Sequence, residues 1–513
     1  MEELLIRFLN HITALQRKLS QRHPDLCAGE IQVGLAVRPG TDKATGPVAL
    51  DRSAQDRHLY LLGASGSGKS RLLELLVRQL IRRGEGFCLV DPHGDLTTNI
   101  LTYLYDRKHR HSSGLAVDDS RVHLIEPFRE EAVVGLNALD PGGAPLHPHI
   151  GQLVSILRRF WSGSWGPRME ELLRTGLLTL ASCKPPLTLV ELVPLLVDAE
   201  FRARVLTTVD DDAVRAYWHC RYDPLSGGGR LAMSEPVLNK VGALLADPRV
   251  RGMLGRRETG LDLRRLMDAG GWVLFNCSRG QLRDASYLLG SFLVAQIQAA
   301  ALSRAAVSEA DRRPFTLLVD EFQHFRADDF TEILCEARKY RLRLVMAHQN
   351  LSQLEAPLQQ AIFSNAGTHI IFAVSAQDAA AVIKQSPEGV IGVEQLIHQP
   401  VGHAFFFRRG HLPVRTRIFP VEIPAIAPAE LAVYARELAT RHGVPLKEVE
   451  VEIRQRAGGA APGPDPVPAA PSPPPPKGKR RRKEAAGAPP QPTPSSPAAG
   501  SEGSAPIKEA PDD

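Results

Sequence analysis

Residues 63–70, Gly-Ala-Ser-Gly-Ser-Gly-Lys-Ser, fit the pattern GxxxxGK[ST], and phosphate chemistry explains the spacing. Glycines let consecutive backbone N–H groups wrap a phosphate without Cβ clashes. Lys69 supplies a compact positive charge for β- and γ-phosphates, and the Ser70 hydroxyl suits Mg²⁺. Gly63, Ala64, Ser65, Gly66, Ser67, Gly68, Lys69, Ser70 and the following Arg71 are the expected nucleotide-binding residues. A second run, Phe315-Thr-Leu-Leu-Val-Asp320-Glu321, ends in adjacent carboxylates. A buried strand would deliver both acids at its C-terminal end, where ligands bind in α/β sheets. There Asp320 would hold Mg²⁺ through water and Glu321 would polarise the attacking water. The bland alternative is an N-cap pair opening the next helix. The acid pair beside a phosphate loop points to hydrolysis of ATP with Mg²⁺. A kinase would need an acceptor pocket, and no residues mark one.

Both motifs need a frame. His58–Leu62 is a short apolar strand running into the glycine-rich loop. Arg71–Arg83 is predicted helical, because Leu72, Leu73, Leu76, Leu80 and Ile81 recur at helical spacing before Gly84. Its positive end would face the anion. Phe87–Val90 is a second strand, and Trp272–Phe275, Phe315–Val319, Leu342–Ala347, His369–Val374 and Ala404–Phe407 are further strands. Alternation with helical patterns predicts an α/β fold of the RecA-like P-loop NTPase kind, with a mostly parallel sheet covered on both faces. Between about Leu146 and Leu266 strand signal is scarce, and Met169, Leu172, Leu173, Leu177 and Leu180 give one apolar stripe. An inserted all-α domain between the second and third strands is expected.

The expected organisation follows. Residues 1–29 form an N-terminal helical segment, 30–145 and 267–426 the two parts of the NTPase domain, and 146–266 the helical insertion. A C-terminal helix spans 427–456. From 457 to 513, proline, alanine and glycine dominate, and such a chain cannot bury enough apolar surface to offset its ordering entropy. Its basic cluster Lys477–Lys483 is read either as a contact for nucleic acid or an acidic partner, or as a solubilising tail.

The 513 residues exceed what one core supports, and a net charge of +5 confines any nucleic-acid surface to a local patch. The six cysteines are scattered singly, without a CxxC pair, which argues against zinc or a disulfide framework and suits a reducing, cytoplasmic setting. Cys88 and Cys277 read as small core residues. The start has no signal-peptide pattern, and no run of 18 or more apolar residues predicts a membrane span.

With these residues in place, the chain resembles the HerA/FtsK-type motor ATPases, and more closely the cytosolic part of conjugative coupling proteins of the TraD/TraG group. The resemblance covers about residues 50 to 425. It rests on GASGSGKS after Arg57-His58, then LVDPHGDL (Leu89–Leu96), SWGPRMEELLRTGLLTL (Ser164–Leu180) and LNKVGALLADPRVRGMLG (Leu238–Gly255). LVDEFQHF (Leu318–Phe325), EARKYRLRLVMAHQNLSQL (Glu336–Leu354) and SNAGTHIIFAVSAQDA (Ser364–Ala379) follow in order. The resemblance implies a homo-hexameric ring that pumps DNA largely independently of sequence, with ATP sites between subunits and secretion-channel or relaxosome proteins as partners. It also implies an arginine-finger role for Arg338, a second basic residue of the interface in Arg57, and a γ-phosphate sensor in Gln349. On the residues alone, Arg338 is read instead as a solvated helix charge beside Lys339 or a phosphate-backbone contact, Arg57 as a charge beside the nearby Asp51 and Asp56, and Gln349 as a strand-end cap. The Asp91 stretch borders the nucleotide in the family, so Asp91 is either part of the magnesium shell or a turn residue. His348 reads as structural.

There are departures. Membrane-anchored relatives carry N-terminal transmembrane helices, and many carry arginine where this sequence has Ala373. Arg158-Arg159, Arg256-Arg257, Arg264-Arg265 and Arg341/Arg343 are the candidate DNA-backbone contacts, each with a solvated face as the alternative. The main expectation is an ATP-driven DNA translocase. The competing one is an ATP-gated adaptor that docks protein substrates on a secretion channel without moving DNA.

Overall fold

The computed structural model describes residues 30–38, 43–109, 118–325, 329–385 and 390–458. The expected N-terminal segment, 1–29, and all but the first two residues of the expected tail lie outside the described residues.

The scaffold is one 11-stranded sheet, in the order β2-β1-β11-β10-β9-β3-β8-β7-β4-β6-β5. The strands are β1 (Ile31–Val37), β2 (Ala44–Leu50), β3 (His58–Leu62), β4 (Gly86–Asp91), β5 (Val122–Ile125), β6 (Trp272–Asn276), β7 (Phe315–Val319), β8 (Leu342–His348), β9 (Ala366–Ile371), β10 (His403–Arg408) and β11 (Val414–Ile418). From β9 to β5 every neighbouring pair is parallel, and β2, β1, β11 and β10 extend the sheet antiparallel beyond β9. The central strands β3, β4, β6, β7 and β8 are buried at every position, as a parallel sheet covered on both faces requires. Period-two alternation splits their side chains between two cores. Leu59, Leu61, Phe87 and Leu89 pack with the helices Lys69–Arg82 and Asp95–His109. Tyr60, Leu62, Cys88 and Val90 face a second core, continuous with the helices between β5 and β6.

Those helices include Leu146–Phe160, Pro167–Ser182, Gly227–Leu245 and Pro248–Gly255. The stripe Met169, Leu172, Leu173, Leu177 and Leu180 is buried. Among the described residues one helical stretch, Ala285–Ala306, is long and apolar enough to cross a membrane, and 83% of an 18-residue portion of it is buried inside the protein. It lies on the core side of Leu146–Phe160, where Gln152 Nε2 donates to Gln298 Oε1 at 3.0 Å.

The elements differ from expectation in four places. Strands β1, β2, β5 and β11 were not anticipated. β1 and β2 carry Gly34, Gly46 and Pro47, which read as breakers, and β11 (Val-Arg-Thr-Arg-Ile) has two arginines in five residues. Because β5 intervenes, the helical region follows the third strand of the parallel sheet, not the second. β9 runs Ala366–Ile371 rather than His369–Val374, because the chain beyond Ile371 leaves the ladder to serve the phosphate loop: Ala64 N–H donates to Ala373 O at 2.7 Å. The single C-terminal helix is two, Pro428–Thr440 and Leu446–Arg456, broken where a side chain on Gly443 would lie 2.5 Å from the Ala132 backbone.

Candidate nucleotide site

The loop after β3 is stitched to its neighbours. Gly63 N–H donates to His348 O at the end of β8 (3.2 Å), and Gly402 N–H donates to Ser67 O (2.9 Å). Gly68 caps the helix Lys69–Arg82 with φ 117°, a left-handed conformation that favours glycine. A Cβ on Gly63 would fall 2.6 Å from Phe372 Cβ and 2.8 Å from Ser67 Oγ, so the loop can close only around glycine. Within the loop, Lys69 Nζ donates to Gly63 O (2.6 Å) and Ala64 O (3.1 Å) and is buried. Burial lowers the Lys69 pKa, while the charges of Glu321 and Asp320 oppose that shift. Ser67 Oγ is buried without a partner. Arg71 turns outward to Glu74 at 3.0 Å.

The two acids arrive from β7. Ser70 Oγ donates to Asp320 Oδ2 at 3.4 Å. Burial, then the negative charges of Glu321 and Asp91, raise the Asp320 pKa from 3.8 to about 6, against the opposing charges of Lys69 and His93. Glu321 sits at φ 49°, ψ 46°, a left-handed conformation that costs a non-glycine residue on the order of 1 kcal/mol. It precedes the single turn Phe322–His324, but its carboxylate caps nothing there. The carboxylate is held instead by two amides: Gln349 Nε2 donates to Oε1 (2.5 Å) and Gln323 Nε2 to Oε2 (2.7 Å). The N-cap alternative therefore does not describe Glu321.

Asp91 is fully buried, and its carboxylate accepts from the N–H groups of His93 (3.0 Å), Gly94 (2.9 Å) and Thr97 (2.8 Å). It organises the turn into the helix Asp95–His109, and it touches the nucleotide site only through its charge on Asp320. His348 is buried, its Nδ1 bonded to Tyr60 Oη at 2.9 Å, and burial lowers its pKa to about 3. It is neutral at any working pH.

These side chains fit a magnesium nucleotide. The loop holds a lysine on its own carbonyls, an unpartnered buried hydroxyl, and a serine–aspartate pair placed side by side. The structure thus brings together Gly63–Ser70, Asp320, Glu321 and Gln349. It does not bring Arg57 or Arg338 to them. Both line a cavity of about 1050 Å³ at the opposite end of β3, together with His58, Arg408 and Arg409. Sequence reasoning overlooked Gln323 and His93, although both lie inside quoted motifs, two residues after Glu321 and Asp91 respectively.

The expected basic clusters are largely committed. Arg343 is buried between Asp56 (2.8 Å) and Glu85 (2.8 Å), and Arg341 lies 3.4 Å from Asp56. Neither is free to track a phosphate backbone, so that cluster is structural. Arg264 pairs with Asp268 at 2.7 Å and Arg158 faces Glu170 at 3.7 Å.

A glycine-rich loop between β3 and a helix, with acids from β7, a parallel strand separated from β3 by β8, places the chain in the P-loop class of nucleotide-binding folds. Within that class its fold is that of the conjugative coupling proteins. Two family models match: the central domain of the helicase HerA over residues 32–109, and the TraM recognition site of TraD and TraG over residues 314–384. The plasmid coupling protein TrwB in complex with ADP and Mg²⁺ superposes with a TM-score of 0.53 at 18% identity, covering 78% of this chain and 97% of that one. The TrwB complex with the non-hydrolysable analogue ADPNP gives 0.53 at 18%, covering 77% and 94%. The unbound bacterial coupling protein fragment TrwBdeltaN70 gives 0.51 at 18%, covering 79% and 92%. No curated protein matches by sequence.

Proposed function

We propose that this chain is a magnesium-dependent ATPase of the coupling-protein type that moves DNA through a ring of identical subunits. The carrying observation is the convergence of Lys69, Ser70, Asp320 and Glu321 at the C-terminal ends of β3 and β7. Asp320 and Ser70 would hold Mg²⁺, and Lys69 would leave the loop carbonyls for the β- and γ-phosphates. The bound metal would supply charge neutralisation on the phosphates. Glu321, released from one of its two amides, would orient the attacking water, and Gln349 would report on the γ-phosphate. Arg338 and Arg57, at the far end of the sheet, suit action on a neighbouring copy's nucleotide and not on their own.

Lys69→Ala and Glu321→Gln should each abolish DNA-stimulated ATP turnover, and turnover that survives either change would overturn the reading. Images of negatively stained protein with nucleotide and duplex should show a six-fold ring, whereas a stable monomer under those conditions would refute the motor. A second reading, the protein-docking adaptor, draws on the match to a TraM recognition site over residues 314–384. Stimulation of turnover by a protein substrate and not by DNA would favour it.

A further inference from the structure

The cavity that holds Arg57 and Arg338 is also walled by the β10–β11 hairpin. Arg408 pairs in register with Thr368 of β9, and the adjoining Gly367 receives the stem of Arg57: a Cβ there would lie 2.5 Å from Arg57 Cβ and Cδ. Four arginines (Arg57, Arg338, Arg408 and Arg409) line the space with three histidines, and no Asp or Glu is among the described lining residues. Arg57 Nε is buried without a partner. Arg408 has only a 3.5 Å contact with the exposed Asp51, and Arg409, beside it on the surface, makes no hydrogen bond or ion pair among the described residues. Asp51, outside the lining, is the one acid bonded to any of these four arginines among the described residues, so most of their like charge is uncompensated and the cavity suits an anion supplied from outside.

The geometry also suggests which anion. β10 starts at the phosphate loop, where Gly402 donates to Ser67, and ends at the cavity, so the hairpin tip and the loop lie at opposite ends of one sheet. Each end exposes an apolar side chain: Val401 (76%) beside the loop and Leu412 (69%) at the hairpin tip. Two unlike surfaces at opposite ends suit a head-to-tail contact between copies, the arrangement that closes into rings.

We infer that Arg409, on the β10–β11 hairpin, binds the polyphosphate of the nucleotide held by the phosphate loop of a second copy. This rests on the composite-site reading above and adds a residue to it. Arg409 is exposed and makes no contact that fixes its position, so it holds ground state and transition state alike, an effect that appears in KM and not in kcat. Arg338 is exposed as well, and differs in standing on the short turn Ala337–Tyr340, whose Ala337 is buried and which packs against β8.

The test is steady-state ATP hydrolysis by the full chain at concentrations where it assembles. Arg409→Ala should raise KM for ATP about tenfold with kcat within twofold, and Arg409→Lys should recover most of the loss. Binding of a fluorescent ATP analogue to dilute, unassembled protein, and the melting midpoint, should not change. An unchanged KM would overturn the inference, as would a loss of analogue binding in the dilute protein. Lower DNA affinity at unchanged KM would overturn it too, by assigning Arg409 to the DNA backbone. Arg338→Ala, assayed in parallel, separates the two levels. Lost turnover there with an unaffected Arg409→Ala removes only this inference, whereas full turnover in Arg338→Ala removes the composite site itself.

Discussion

The two ends of β3 are chemical opposites. At Leu62 the strand opens onto a lysine held on the loop's own carbonyls, a serine bonded to Asp320, and a Glu321 carboxylate held by two amides. At His58 it opens onto a cavity of arginines with no acid among its described lining residues. The first end has the groups that hold a metal and a phosphate chain, but its Arg71 is paired with Glu74, and among the described residues no arginine is bonded to Lys69, Ser70, Asp320 or Glu321. The second has arginines and no nucleotide-binding loop. A monomer cannot unite them, because the strand between them is rigid and buried at every residue. Two copies in series can, and each end then supplies what the other lacks.

The largest effects should come from the loop end. Lys69→Ala and Glu321→Gln should lower turnover by at least about 10³-fold, with Glu321→Gln still binding nucleotide. Next is Arg338→Ala, for which about 10²- to 10³-fold is expected in kcat with nucleotide affinity retained. Mixing Arg338→Ala with Lys69→Ala subunits should restore part of the activity, because some interfaces then combine an intact loop with an intact arginine. No recovery under confirmed subunit exchange would break the comparison between the two ends.

A smaller effect tests the amide clamp. Gln349→Ala frees one oxygen of Glu321 in the resting protein and removes the proposed sensor. Turnover should fall about tenfold, with the metal dependence unchanged. Gln323→Ala frees the other oxygen without touching the sensor, so it should cost less. Equal losses in the two variants would mean that both amides serve only to hold the left-handed Glu321 backbone.

The loop end was legible from sequence because its chemistry is local. Glycines, lysine and serine fall within eight consecutive residues, and a five-residue strand with four apolar side chains announces Asp320 and Glu321. The far end was legible only through resemblance. Arg57 and Arg338 are 281 positions apart, and Arg408 and Arg409 lie in a hairpin whose second strand, Val-Arg-Thr-Arg-Ile, carries a weak apolar pattern. Asp91 shows the limit from the other side. Its turn chemistry was readable, but only the fold reveals that three backbone N–H groups occupy its carboxylate. The shift of β9 has the same origin: an apolar run does not say where a ladder yields to a loop contact such as Ala64–Ala373.

The smallest expected effect concerns stability and sharpens what the loop end stores. In nucleotide-free, metal-free protein Asp320 is buried among Glu321 and Asp91, and its pKa rises from 3.8 to about 6. The folded state therefore binds a proton more tightly than the unfolded state does. That contribution is fully present below about pH 4 and is lost as pH rises through about 6, which leaves ionised Asp320 destabilising at neutral pH. A shift of about two units corresponds to roughly 3 kcal/mol as an upper figure. Asp320→Asn removes the charge and keeps an acceptor for Ser70. It should raise the unfolding free energy by about 1–3 kcal/mol at pH 7.5, and the gain should vanish near pH 4. Chemical denaturation of both proteins across that range, with chelator present, reads the difference directly. A gain that does not depend on pH would show that Asp320 is not held against its charge, and the loop end would then lack the electrostatic strain that a bound Mg²⁺ is expected to relieve.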